Sequence, residues 1–179
     1  MKIVLDRLCR RCHNRAMPPA TPSAEHSLLQ QFVGTFDTVS EFAIPGAPEP
    51  FRVTGRETCR LDMGGFWIVF DLESGEPPLN FRGHGIMGYD TLKQKFVGVW
   101  VDPSAAALQL SEGSVDAAGK VFTMLGTMPD YFGNGKEIVT RQISRIVDAD
   151  TKEFEVWRDA AGAASQRVAF IRYTRRLHA

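Results

Sequence analysis

From Gly34 onward the hydrophobic pattern repeats every second residue, and it does so with turn residues at short intervals and no helical stretch in between. Phe36, Thr38, Ser40, Phe42 and Ile44 share one face of a first strand, which Pro45-Gly46 ends. Phe51, Val53, Gly55, Glu57, Cys59 and Leu61 share a face of a second. Its other face carries Arg52, Thr54, Arg56, Thr58 and Arg60 and is wet. Gly64-Gly65 turns the chain into a third strand over 66–73, followed by Pro77-Pro78. Further strands are predicted at about 80–89, 95–102, 106–115, 120–127, 136–147, 152–159 and 166–176, each bounded by a Gly, Pro or Asp turn signal.

Consecutive short strands joined by tight turns pair as antiparallel neighbours. A flat sheet of ten would leave two unpaired edges and one large apolar face, and closure removes both. The expected fold is therefore all-β, a meander of about ten strands closed into a barrel. A barrel of eight strands is already about wide enough for one small ligand, so ten predict a cavity.

One helix precedes the barrel. Leu28, Leu29, Phe32 and Val33 fall at helical spacing within 23–33, Ser23 or Thr21 supplies an N-cap, Pro22 suits the first turn, and Gly34 stops the run. This helix is expected to cap the barrel. Residues 1–22 are basic and then rich in proline and small residues, and are read as a mobile tail ahead of a single domain over 23–179.

Lysine plus arginine equals aspartate plus glutamate at 21 each, so no net field draws the chain to nucleic acid or to an anionic membrane. Trp67, Trp100, Trp157, Tyr89 and Tyr173 are scattered over separate strands without interleaved basic residues, which also argues against a nucleic-acid stacking platform. The longest apolar run near the start is Ile3-Val4-Leu5, too short for a secretory core. With three cysteines and no disulfide framework, the expected compartment is the cytoplasm.

Two motifs fail on context. Cys9-Arg10-Arg11-Cys12-His13 has the spacing for covalent haem attachment, but that chemistry follows export, and a zinc site would have only His26 or Cys59 to complete it. No cofactor and no metal site is predicted. Gly83-His84-Gly85-Ile86-Met87-Gly88 satisfies G-x-G-x-x-G, yet it runs on into another strand, with no helix N-terminus to hold a pyrophosphate. It is better read as a strand whose glycines permit curvature or the close approach of a ligand. Serine-hydrolase, zinc-protease and phosphate-loop motifs are missing.

In order along the chain, the following segments resemble the bacterial domain-of-unknown-function family numbered 1579, from about Glu25 to Arg175. They are Glu25-His26-x-Leu28-Leu29, Phe32-Val33-Gly34-Thr35-Phe36, Pro45-Gly46, Gly64-Gly65-Phe66-Trp67, Gly83-x-Gly85-x-x-Gly88-Tyr89-Asp90, Lys95-Phe96-Val97-Gly98-x-Trp100-x-Asp102 and Glu112-Gly113-x-x-Asp116-x-x-Gly119-Lys120. The resemblance implies a lipocalin-like barrel of the calycin group, and no particular activity. Gly34-Thr35-Phe36 is similar to the lipocalin G-x-W opening, with Phe36 in place of the tryptophan. It implies an arginine of the last strand beneath that ring, from among Arg172, Arg175 and Arg176. The neighbouring haem-binding nitrobindins open with a glycine-rich signature missing here, and His178 is poorly placed for a proximal ligand.

The function expected from these readings is binding of a small apolar or amphipathic molecule in the lumen. Glu57, His84 and Arg141 are expected as polar orienting groups, with Arg141 pairing Glu57, and Trp100 and Tyr89 as aromatic contacts. A cofactor-independent cyclase or isomerase, with His84 or Glu57 moving a proton, is the enzymatic alternative, though a non-catalytic role is preferred. A homo-oligomeric or partner-binding module using an exposed barrel face is the third reading.

Overall fold

The computed structural model describes residues 20–75, 80–131, 134–159 and 164–177. Most of the expected tail, Pro77-Pro78 and His178 lie outside the described residues.

Ten strands follow the predicted order: β1 (Gly34–Phe42), β2 (Phe51–Asp62), β3 (Trp67–Ser74), β4 (Phe81–Asp90), β5 (Lys95–Asp102), β6 (Ala105–Val115), β7 (Val121–Pro129), β8 (Glu137–Ile146), β9 (Thr151–Arg158) and β10 (Gln166–Arg175). Each pairs antiparallel with its sequence neighbour, and β1 pairs with β10 to close the barrel. The closing seam sets Phe36 opposite Arg175 and Ser40 opposite Ile171. Closure leaves no sheet edge unpaired, which is the physical reason a meander of this length curls.

The helix differs from expectation in pitch. It is α-helical only over Ala24–Ser27 and tightens to a 3₁₀ helix over Leu28–Phe32. Ser23 is the N-cap, so Pro22 precedes the cap and is not in the first turn. The Ser23 amide donates to His26 Nδ1 at 3.0 Å. Three residues per turn stack positions i and i+3 on one face. His26, Leu29 and Phe32 have that spacing, and all three are buried. Phe32 and Leu29 enter a cluster with Ile68, Met87, Phe96 and Phe122 that seals one end of the barrel. The rings of Phe96 and Phe32 each meet Phe122 edge-on at 5.0 Å.

Of the three candidate arginines, Arg175 closes the floor. Its guanidinium carbon lies 4.6 Å from the Phe36 ring centroid, its Nη1 donates to the Val33 carbonyl at 2.8 Å, and its Nε donates to the Ala149 carbonyl at 3.0 Å. Arg172 instead pairs with Glu153 and Arg176 with Asp37. Gly34 makes room for this arrangement. Its φ is +141°, and a Cβ there would collide with the Arg175 guanidinium. Among the described residues no helix is long and apolar enough to cross a membrane.

Candidate ligand cavity

Above the Phe32 floor the barrel encloses a cavity of about 870 Å³. Its walls are the inward positions of the strands, including Phe42, Leu72, Met124, Val156 and Ile171. It reaches a mouth formed by the chain around Pro45, Gly75, Ser104, Tyr131 and Gln166, where successive strands turn.

Two residues break the apolar floor. Glu57 comes from β2 with Cys59 on the same inward face, as alternation requires. Lys152 comes from β9, where Lys152, Phe154, Val156 and Arg158 face the lumen. Lys152 Nζ donates to Glu57 Oε1 at 2.7 Å, and each side chain is only 6% exposed. Lys152 also donates to Cys59 Sγ at 3.3 Å, and the Cys59 thiol donates to Glu57 Oε1 at 3.0 Å. Around the ammonium stand the rings of Phe36 at 4.2 Å, Tyr173 at 4.6 Å, Phe32 at 5.5 Å and Phe70 at 5.9 Å. Ring faces attract a cation, so the cage and Glu57 together hold a charge that such a site would otherwise expel. Burial pushes the Cys59 thiol up, and the Glu57 carboxylate adds to it. Burial likewise raises the Tyr173 phenol, with the charges of Glu57 and Cys59 behind it.

A second polar knot sits at the mouth. Asp102 Oδ2 accepts from Trp100 Nε1 at 3.0 Å, Gln109 Nε2 at 3.1 Å and the Tyr131 hydroxyl at 2.8 Å. Burial and then Asp102 raise the Tyr131 phenol. Arg158 pairs with the buried Asp130 across the same rim.

The sequence-predicted site residues separate. Glu57 and Trp100 line the cavity, Glu57 at the floor and Trp100 toward the mouth. The Trp100 indole lies across Gly83 and Gly85, where any Cβ would overlap it. The glycine motif is thus a strand that makes space for a tryptophan. Tyr89 packs in the sealed end against His26 and Phe96, at ring separations of 5.8 and 5.3 Å.

His84 and Arg141 require correction. His84 points outward from β4 and sits with Nδ1 2.7 Å from Asp71 Oδ1. Hydrogen bonding to His84, and then to Arg60, holds the Asp71 carboxyl below its ordinary range. Arg141 also faces outward, with Nε 3.1 Å and Nη2 3.2 Å from Asp159 and its guanidinium over the Trp157 ring at 5.6 Å. The lumen face of β8 is Ile138, Gln142 and Ser144, so Arg141 cannot meet Glu57. Lys152 takes that role. Its signal was its phase with Phe154 and Val156, masked by the polar turn Asp148-Ala149-Asp150-Thr151 before it. Among the described residues no group of three or more His, Cys, Asp or Glu side chains is placed to hold a metal. Cys9, Cys12 and His13 lie outside the described residues.

Two solved structures share this architecture. Rv2717c from M. tuberculosis superposes with a TM-score of 0.63 at 13% identity, covering 88% of this chain and 100% of its own. The S-type phycobiliprotein lyase CPES from Guillardia theta superposes with a TM-score of 0.55 at 10% identity, again covering 88% and 100%. At such identities the likeness is one of fold. A search of curated proteins found no match. The sequence profile described as "Protein of unknown function (DUF1579)" matches residues 21–175, and the chain belongs to that family.

Proposed function

We propose that this barrel binds a small, largely apolar molecule inside its lumen, with the ligand's polar end toward Lys152 and Glu57. The observation that carries this reading is a cavity of about 870 Å³ with aromatic and aliphatic walls and one buried ion pair at its floor. That volume falls within the roughly 300–1,000 Å³ of small-molecule sites, which combine apolar walls with a few placed polar groups. The Lys152 charge is already balanced by Glu57. A carboxylate headgroup would set a second negative charge beside Glu57, so a neutral hydroxyl or carbonyl tip suits the floor better. The proton-moving alternative retains only Glu57, because His84 stands outside the lumen.

Native mass spectrometry and thermal shift against long-chain alcohols, aldehydes, acids and tetrapyrroles test the reading. One bound molecule per barrel and a raised Tm are expected, with neutral tips ahead of acids. A panel in which nothing binds overturns it.

A second reading, self-association, is favoured by an apolar stretch on the outer wall of β6, β7 and β8. There Leu108, Leu110, Leu125 and Val139 are 60%, 58%, 55% and 60% exposed. Patches of this kind mark contact surfaces. Light scattering on the wild type and on Leu110→Lys checks it: a dimer lost in the variant supports the reading, and a monomeric wild type removes it.

A further inference from the structure

Lys152 is the only lysine that lines the cavity among the described residues, and its environment is unusual for an amine whose sole task is to anchor a carboxylate. An ammonium has three N–H donors. Lys152 spends two of them on Glu57 Oε1 at 2.7 Å and Cys59 Sγ at 3.3 Å, the second a weak acceptor. Its remaining surroundings are the faces of Phe36, Tyr173, Phe32 and Phe70. The pocket thus stabilises a cation but offers it few hydrogen-bond acceptors.

We propose that Lys152 captures an apolar aldehyde or ketone as a protonated imine, with Glu57 as its acid–base partner and counter-ion. This deepens the binding reading above and rests on it. A protonated imine keeps the positive charge that the ring cage and Glu57 accommodate, and it has a single N–H, which Glu57 Oε1 satisfies alone. The carbonyl substituents lie in the apolar lumen, where exclusion of water slows hydrolysis.

The step balances within the pair. Lys152 passes one proton to Glu57, and the neutral amine's electron pair forms the C–N bond at the carbonyl carbon. The carbonyl π electrons go to oxygen, which is protonated, while the new C–N nitrogen gives up a proton. Glu57 serves as acceptor and donor in these transfers. The resulting carbinolamine loses its C–O bond as water, leaving C=N–H⁺ on Lys152 and a carboxylate on Glu57. An ammonium, a carboxylate and a carbonyl compound give an iminium, a carboxylate and one water, and no oxidant or reductant is consumed in capture.

The test uses the full chain with n-decanal and sodium cyanoborohydride, which reduces the imine to a stable secondary amine for mass spectrometry and peptide mapping. n-Decanol serves as the non-reacting analogue in a parallel thermal shift. The expected result is one adduct per chain, mapped to Lys152 and formed about tenfold or more faster than on the exposed Lys93 and Lys95, because the lumen holds the aldehyde beside this amine and Glu57 relays its protons. Lys152→Arg, which keeps the cation but has no amine that can form this imine, should lose the adduct. The wild-type map stands by itself if that variant does not fold. Labelling of Lys152 at or below the rate of Lys93 and Lys95, while n-decanol still raises the Tm, overturns capture and leaves lumen binding standing. Failure of both n-decanal and n-decanol to bind overturns the two together.

Discussion

Glu57 and Lys152 are 95 positions apart in the chain, yet their charged atoms lie 2.7 Å apart at the floor of the barrel. Removing one partner of such a pair leaves an uncompensated buried charge, at a cost of about 3–5 kcal/mol. Replacing both with apolar groups of similar size is often close to neutral. Glu57→Leu and Lys152→Met should therefore each lower the urea midpoint strongly, and the double variant should recover most of the loss. Additive losses in the cycle would show that the two side chains do not act as a pair.

Alkaline pH should unfold the barrel through three groups that hold their protons more tightly than usual. Burial raises the Cys59 thiol and the Tyr131 and Tyr173 phenols, with Glu57 adding at Cys59, Asp102 at Tyr131, and Glu57 at Tyr173. A group raised on folding contributes its full stability below its unfolded pKa and loses it as pH climbs toward the folded value. Stability should fall with rising pH from about 8.5 for the thiol and from about 10 for the phenols. Urea unfolding followed against pH measures the slope, and peptide mapping after iodoacetamide should find Cys59 unmodified in the folded protein. A stability that rises over this range contradicts the assignment.

Gly34→Ala should destabilise the sealed end. The alanine would adopt a positive φ and displace the Arg175 guanidinium from the Phe36 ring and the Val33 carbonyl. Backbone strain of this kind costs about 1–3 kcal/mol. Thermal melts should show a clear loss, and a Tm equal to wild type would mean that the floor tolerates a shifted Arg175.

His84→Ala should leave ligand binding unchanged, because the imidazole is on the outer wall beside Asp71. Its effect on stability should be within about 0.5 kcal/mol, as for exposed ion pairs. The Asp71 carboxyl is held low chiefly by His84. That small contribution is present above the ordinary aspartate range, is lost as acid protonates Asp71, and should be missing in the variant. Weakened binding of a lumen ligand by His84→Ala would place the histidine wrongly.

The strands were legible because alternation and turn residues act locally. On β2 the apolar phase correctly placed Glu57 and Cys59 inside and the arginines outside. Choosing the inward face failed where the lumen itself is polar. On β8 the phase of Val139 and Ile143 suggested that Arg141 points in, but Val139 is exposed, and Gln142 and Ser144 face the cavity. On β4 the inward positions Gly83 and Gly85 have no side chains to reveal a phase, because Trp100 fills their space from the next strand. The helix was visible, but its 3₁₀ tightening depends on packing His26, Leu29 and Phe32 into the floor, a tertiary demand. Lys152 was hidden because a buried charge needs a partner, and Glu57 is supplied from a strand far along the chain.

Titration with the neutral fluorescent probe Nile red tests lumen binding most directly, on the wild type, on Ser144→Trp, which fills the cavity, and on Leu110→Lys, which alters only the outer wall. One saturable site per barrel is predicted, displaced by n-decanol, weakened about tenfold or more in Ser144→Trp, a change of roughly 1.4 kcal/mol or more, and unchanged in Leu110→Lys. Probe binding that ignores Ser144→Trp and disappears in Leu110→Lys would locate the apolar site outside the barrel and contradict the account.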